Sequence, residues 1–218
     1  MTPESAWPVP YLPDPHQFAA DAFVSFCVSV LLAVMINAEA QAFAATMLGD
    51  QRPKTRERFH FNAFLHLDIL GTICFLAGGF GWCRRVDIDA SKFSHPRLFT
   101  FLTRLAGPVA NILLANIAAS IIFLMKIIEY DPRVFIMVVG VNITMAIYNL
   151  LPIPPLVAGT LITVIIPERL PKIKLYFSQA GPFIIIALVL IERITHKAIF
   201  SQYLNPIVID VFNFIKAF

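Results

Sequence analysis

The sequence predicts an all-α integral membrane protein with about four transmembrane helices, a re-entrant hairpin and a C-terminal hydrophobic segment. Of its 218 residues, 58% are hydrophobic and 14% are charged, whereas about 25% of a soluble domain is charged. Long apolar stretches recur along the whole chain, as expected for helices that cross a bilayer. The net charge of +3 is small and gives no reason to expect a nucleic-acid partner.

The N-terminal part divides into an arm and a first span. Residues 1–17 contain five prolines, and we expect an extended extracytoplasmic arm because proline fixes φ and lacks an N–H donor. Residues 18–48 contain neither proline nor glycine. This stretch predicts one continuous helix that is long enough to cross a bilayer and to protrude from it.

A shorter apolar stretch, 73–80, follows the first span. It is too short to cross a bilayer, and the glycines of 78–81 interrupt it, so it predicts a re-entrant or interfacial hairpin. Trp82 directly follows this stretch, where we expect an aromatic anchor at the membrane interface.

Two further spans are predicted at 97–128 and 134–166. The first carries small residues that let membrane helices approach closely. The second is interrupted at 149–156, where three prolines occur within four residues and must break the helix. Broken backbone at membrane depth is tolerated only when it is buried in protein or lines a cavity.

The last part of the chain is less regular. A fourth span covers 183–191, or begins earlier at Tyr176. The final apolar segment, 203–218, is either a short span or an interfacial helix. We therefore divide the chain after the arm into a membrane domain, 18–194, and a C-terminal hydrophobic or interfacial helix, 195–218.

The basic residues predict the orientation of these spans. The loops at 50–58, 84–97 and 167–175 hold four, four and three Lys or Arg residues, whereas the arm holds none. Since cytoplasmic loops are enriched in Lys and Arg, we expect these loops in the cytoplasm and the N-terminus outside, in the inner membrane of a bacterium.

Asn37 and Gln41 are four positions apart and therefore share one helical face. The zinc-binding HExxH motif uses this spacing to direct two imidazoles at one metal, but neither position carries an imidazole here. Gly49-Asp50 begins eight positions after Gln41, and further landmarks occur downstream. These landmarks are His66–Thr72 (HLDILGT), Gly78–Val86 (GGFGWCRRV), Ala106–Asn111 (AGPVAN) and Asn149–Leu156 (NLLPIPPL).

Together these stretches, over about residues 30 to 165, resemble the site-2 protease family of intramembrane zinc metalloproteases. The resemblance implies that active members bind zinc through both HExxH histidines and a later Asp, with the HExxH Glu as general base. In this chain those positions carry Asn37, Gln41, Val157 and Ala38, respectively. A side-chain amide is a poor zinc ligand and valine is none, so we expect a pseudoprotease with no cofactor and no enzymatic activity.

Other polar and proline residues are candidates for partner binding. Glu39 points away from the Asn37 face, and we expect it to reach the cytoplasmic interface, to pair with Arg or Lys, or to contact a partner subunit. Asn111 and Asn149 form interhelical hydrogen bonds, or Asn149 satisfies the main chain of a bound transmembrane segment. The prolines of the broken third span complete this set: Pro152, Pro154 and Pro155.

These observations predict a non-catalytic membrane subunit or scaffold that binds the transmembrane helices of other subunits within the lipid bilayer. A first alternative is a regulator that sequesters the substrates of an active paralogue. A second is a metalloprotease with displaced ligands, for which His60 and His66 are the candidates. The three cysteines form no Cys-x-x-Cys pair, which argues against a zinc ribbon or a disulfide framework.

Overall fold

A computed structural model describes residues 19–52, 61–167, 169–195 and 197–216 of the chain. The predicted arm, 1–17, and His60 lie outside the described residues. In chain order the described α-helices are α1 (Ala20–Met47), α2 (Ile69–Gly78), α3 (Pro96–Ile127), α4 (Arg133–Tyr148), α5 (Val157–Ile165), α6 (Pro171–Thr195) and α7 (Ser201–Lys216). Two short 3-10 turns, Ala63–His66 and Ala90–Lys92, precede α2 and α3.

Three of the described helices are long and apolar enough to cross a membrane: α1, α3 and α6, of 28, 32 and 25 residues. The prediction of an all-α membrane protein is therefore confirmed. The expected third span is divided into α4 and α5 at the proline-rich segment. Since α4 has 16 residues, it is shorter than the roughly 20 residues of a full crossing; it packs in the centre against α1 and α3.

The hairpin consists of α2 and an extended return segment. Leu67 and Cys83 form an antiparallel bridge, and the N–H of Arg84 donates to the carbonyl of His66 at 2.7 Å. The two ends of the hairpin therefore lie side by side. A Cβ added at Gly81 would lie 2.2 Å from the carbonyl oxygen of Gly71, so only a residue without a side chain lets the return segment pass this close to α2.

The indole ring of Trp82 is packed inside the hairpin and is not presented to the surroundings of the protein. It is buried, and its indole Nε1 donates to Oδ1 of Asp68 at 2.9 Å. The same carboxylate oxygen accepts the N–H of Gly71 at 2.8 Å and so caps α2. The expected interfacial anchor is thus corrected: Asp68 gives the indole N–H the acceptor that it needs once it is buried.

Gly49 and Asp50 fasten the end of α1 to the segment before α3. Gly49 has φ +123°, which favours glycine, and an added Cβ would lie 2.9 Å from the carbonyl oxygen of Lys92. The buried carboxylate of Asp50 accepts two hydrogen bonds from Arg52, at 2.7 and 2.8 Å, and one from the N–H of Asp89 at 2.9 Å. This pair of residues therefore has a structural role.

Stability should depend on the charge of Asp50 in acid. The hydrogen bonds from Arg52 hold the pKa of Asp50 below its ordinary value, although burial acts in the opposite direction. A carboxyl group with a depressed folded-state pKa stabilises the protein above the unfolded-state pKa, near 4, and this stabilisation is lost as pH falls through the lower folded value.

We therefore expect Asp50→Asn to lower the detergent unfolding midpoint at neutral pH, and the difference from wild type to shrink below about pH 4. Asp131→Asn is the control, because the Asp131–Arg133 pair is exposed and screened by solvent. A constant difference between wild type and Asp50→Asn over this pH range would contradict the assignment.

The C-terminal helix α7 packs along α4 and α3. The buried carboxylate of Glu192 on α6 accepts the N–H groups of Phe200 and Ser201, at 2.8 and 3.2 Å, and so caps the beginning of α7. The hydroxyl of Tyr148 donates to Asn205 at 2.6 Å. With 16 residues, α7 lies below the length of a typical span, and its inward face belongs to the main core.

Candidate functional site

Asn37, Gln41 and Val157 surround one small cavity between α1, α3 and the start of α5. All three side chains are buried, with at most 5% of their residue surface exposed. Arg85, Arg104 and other residues complete the lining. The cavity has a volume of about 20 Å³, which is enough for roughly one water molecule.

The two amides on α1 are hydrogen-bonded to each other and to α3. Gln41 lies one helical turn after Asn37, and its Nε2 donates to Oδ1 of Asn37 at 2.8 Å. The guanidinium of Arg104 donates to Oε1 of Gln41 at 2.9 Å. The carbonyl oxygen of the Asn37 side chain therefore has a hydrogen-bond donor on its own helix, in Gln41.

Asn111 on α3 extends these bonds to α4. It accepts from Nδ2 of Asn37 at 2.6 Å, and its own Nδ2 donates to Oδ1 of Asn142 at 2.8 Å and to the carbonyl of Ala33 at 2.9 Å. Asn142 in turn donates to the carbonyl of Val138. We call the connected side chains Arg104, Gln41, Asn37, Asn111 and Asn142 the amide network. It joins the three central helices by the polar contacts that hold membrane helices together.

Gly107 makes room for this network. A Cβ added at this position would lie 2.5 Å from Oδ1 of Asn37 and 2.8 Å from its amide carbon. Real Cβ atoms essentially never come this close to a neighbour, so even alanine would displace the Asn37 side chain. The glycine of the Ala106–Asn111 stretch is therefore required by the close approach of α1 to α3.

The donor set of the cavity does not fit a zinc ion. Zinc takes thiolate, imidazole or carboxylate ligands, whereas Asn37 and Gln41 offer amide oxygens and Val157 offers none. Among the described residues that line the cavity, Cys83 carries the one thiol, and its Sγ donates to Oδ1 of Asn37 at 3.4 Å. Both amide oxygens already accept hydrogen bonds, and the cationic Arg104 lies 2.9 Å from one of them. Within the described ranges, no three His, Cys, Asp or Glu side chains are grouped so that they could hold a metal.

Ala38 and Glu39 face away from the cavity. Ala38 is fully buried against Ala42 and Val86, so an apolar contact occupies the position that the resemblance aligns with the general base. Glu39 is also buried, and its Oε1 lies 2.9 Å from Nε2 of His66 and accepts the N–H of Phe61 at 3.2 Å. Glu39 was expected at an interface with Arg, Lys or a partner; the structure instead pairs it with the hairpin, which supplies the donors that a buried carboxylate needs.

Asn149 connects the end of α4 to the beginning of α5. Its Nδ2 donates to the carbonyl of Met145 at 2.6 Å, and its Oδ1 accepts the N–H of Val157 at 3.3 Å. Its side chain therefore satisfies the main chain of this protein at the helix break. The expectation that it could serve the main chain of a bound segment has no support in these contacts.

The backbone of the proline-rich connection, 150–156, approaches glycines of α5 and α6 closely. A Cβ added at Gly181 on α6 would lie 1.8 Å from the carbonyl oxygen of Pro154, and one at Gly159 on α5 would lie 2.1 Å from the backbone of residue 153. Pro154 is buried, Pro155 is half-buried and Pro152 is exposed. The Pro154–Pro155 peptide bond is cis. Of the proposed partner-binding residues, Pro152 is thus the one that faces outward.

Arg104 is a buried charged residue of the site that sequence reasoning missed. It lies within the second predicted span and is buried beside Gln41. A charged residue inside an apolar span usually has a partner and a role, and that rule alone would have identified it.

Comparison with known proteins shows that the chain is similar to a protein of Bacillus subtilis (strain 168), "Putative zinc metalloprotease YwhC". The two chains are 31% identical over 165 residues, which cover 72% of this chain and 74% of the relative. No protein-family model matches the chain, and no solved structure matches it.

Proposed function

We propose that this chain, which belongs to the family of the putative zinc metalloprotease YwhC, is a non-catalytic, site-2-protease-like member. We propose further that it binds transmembrane partners in the membrane. The observation that carries the proposal is the amide network, which includes Asn37 and Gln41, two of the three positions aligned with the zinc ligands. Without a metal, a bound water keeps its high pKa, and Ala38 cannot take a proton from it. The site therefore lacks both parts of metal-assisted hydrolysis.

The alternative of displaced metal ligands has little chemical support. His66 is bonded to Glu39 on the side of α1 that faces away from the cavity. Among the described residues, a single imidazole and one carboxylate meet there, which falls short of the three protein ligands that a catalytic zinc site requires. Stoichiometric zinc in the purified protein, lost on His66→Ala, would overturn the proposal.

The partner-binding surface is the outer side of the connection 150–156. Leu150 is 54% exposed and Pro152 is exposed, while the backbone of residues 153 and 154, directly after them, packs closely against Gly159 and Gly181. A segment that is already fixed loses little conformational freedom on binding. This combination of exposed apolar side chains and a rigid backbone suits the docking of a transmembrane helix.

Site-specific photocrosslinking in intact membranes tests this function. A photoreactive residue at Leu150 should capture one defined membrane protein. The control is the same residue at Val24, an exposed apolar position near the beginning of α1. Equal crosslinking from both positions, or capture of lipid alone from Leu150, would contradict the proposed docking surface.

Whether an active relative cleaves the captured segment distinguishes a scaffold from a regulator. A partner that remains intact when an active relative is present identifies an assembly subunit. Cleavage of the same segment by that relative would instead identify a protein that sequesters substrates. The distribution of Lys and Arg supports a cytoplasmic-membrane location with the N-terminus outside, which is part of the same proposal.

A further inference from the structure

A second, larger concavity lies apart from the cavity at Asn37. It is bounded by the C-terminal half of α3, by Val139 on α4, and by Phe212 and Ile215 on α7. Its volume is about 650 Å³, within the roughly 300–1,000 Å³ of small-molecule sites. We call it the α3–α7 groove.

The walls of the α3–α7 groove are largely apolar. Ile117, Phe123 and Leu124 line it, and each exposes more than half of its surface. Two polar residues also line it, but the Nδ2 of Asn116 donates to its own helix at Ile112 and the hydroxyl of Ser120 donates to the carbonyl of Asn116. The groove therefore offers an occupant mainly dispersion contacts and apolar burial.

One end of the groove carries a positive charge. Lys126 lies in the last turn of α3, and it is the one charged residue among the described side chains that line the groove. The 32 residues of α3 extend over roughly 48 Å, which exceeds the hydrocarbon core of about 30 Å. The helix end that carries Lys126 can therefore reach the headgroup region, where lysine side chains extend towards phosphate.

We propose that the α3–α7 groove binds one acyl chain of an anionic phospholipid, with the headgroup phosphate at Lys126. The apolar walls match the hydrocarbon chain, and the charge at one end matches the phosphate. A flexible chain can fill a groove whose walls include bulky side chains such as Ile117 and Phe123. The bound lipid would cover the line of contact between α7 and its neighbours α3 and α4.

Native mass spectrometry tests this site with the full chain. The protein is purified, delipidated by detergent exchange, and offered phosphatidylglycerol and phosphatidylcholine with identical acyl chains. Wild type should retain one phosphatidylglycerol, with a preference over phosphatidylcholine of about fivefold, the effect of one lysine near a charged headgroup.

Three variants test the headgroup contact at Lys126 and the apolar groove independently. Lys126→Gln should lose the preference between headgroups but still bind lipid. Ser120→Trp places a large side chain into the groove from an exposed position and should lose both lipids. Leu113→Trp makes the same change at an exposed position of α3 outside the groove lining, and it should bind lipid like wild type.

Several results would overturn the proposal. These are equal retention of the two lipids by wild type, equal loss of lipid in Leu113→Trp and Ser120→Trp, and an unchanged headgroup preference in Lys126→Gln. A photoreactive residue at Ser120 should capture lipid, and capture of a second copy of this chain or of another protein there would also refute it. None of these results bears on the docking surface at Leu150, because the two surfaces share no residue.

Discussion

Replacing Asn111 with alanine should lower the free energy of unfolding by about 2 kcal/mol, since it removes three interhelical bonds at roughly 0.6 kcal/mol each and leaves Asn37 without its acceptor. Asn111 is fully buried and bonds to Asn37, Asn142 and the carbonyl of Ala33. Partners left unsatisfied inside the protein add to the cost. Unfolding in mixed micelles with increasing denaturing detergent measures the change.

The matched control is Asn116→Ala on the same helix. Asn116 is exposed and donates only to the carbonyl of Ile112, four residues earlier on α3, so its removal should leave the unfolding midpoint nearly unchanged. If both variants shifted the midpoint equally, the amide network would have no special role in stability. Partial rescue of Asn111→Ala by Asn142→Ala would further show that the unsatisfied partners carry part of the cost.

Introducing zinc-binding side chains at the positions aligned with the zinc ligands should raise the zinc content of the protein. We expect wild type to retain far less than one zinc per chain. A variant with Asn37→His, Gln41→His and Val157→Asp, together with Arg104→Met, should bind about one zinc per chain, because it supplies three ligands of the types found in catalytic sites. Arg104→Met is included because a guanidinium at this distance from the Gln41 position would repel a divalent cation.

Elemental analysis after extensive dialysis measures the zinc. The control retains every change except Val157→Asp and should bind zinc more weakly, since it has only two ligands. A wild-type protein with one tightly held zinc would contradict the proposed loss of the metal site. Failure of the restored variant to bind zinc better than its control would show that Val157 does not occupy the position of the third ligand.

Much of the architecture could be predicted from local patterns. The first span was expected over 18–48, and α1 covers Ala20–Met47. The three prolines after residue 149 predicted the break between α4 and α5, since proline cannot continue a helix. Glycines at 78–81 likewise predicted that the chain would turn back. Each of these inferences depends on neighbouring residues alone, which is why sequence reasoning sufficed.

The environments of single polar residues could not be predicted in the same way. Trp82 and Glu39 both looked like interfacial residues, because each lies at the boundary of an apolar stretch. The structure buries them through contacts with Asp68 and His66, respectively. Burial of a polar group depends on whether a partner with the right donor or acceptor is nearby, and that partner can come from a distant part of the chain.

The sequence by itself determined the helices, their order, and the residue types at Asn37, Gln41 and Val157 on which the proposed loss of zinc binding rests, because residue type and spacing along one chain suffice for these. Only the tertiary structure decided how the two amides are used. Asn37 finds its acceptor 74 positions away in Asn111, and Gln41 finds its donor 63 positions away in Arg104. An amide can donate or accept in several directions, so its role follows from the groups that the packed helices place around it.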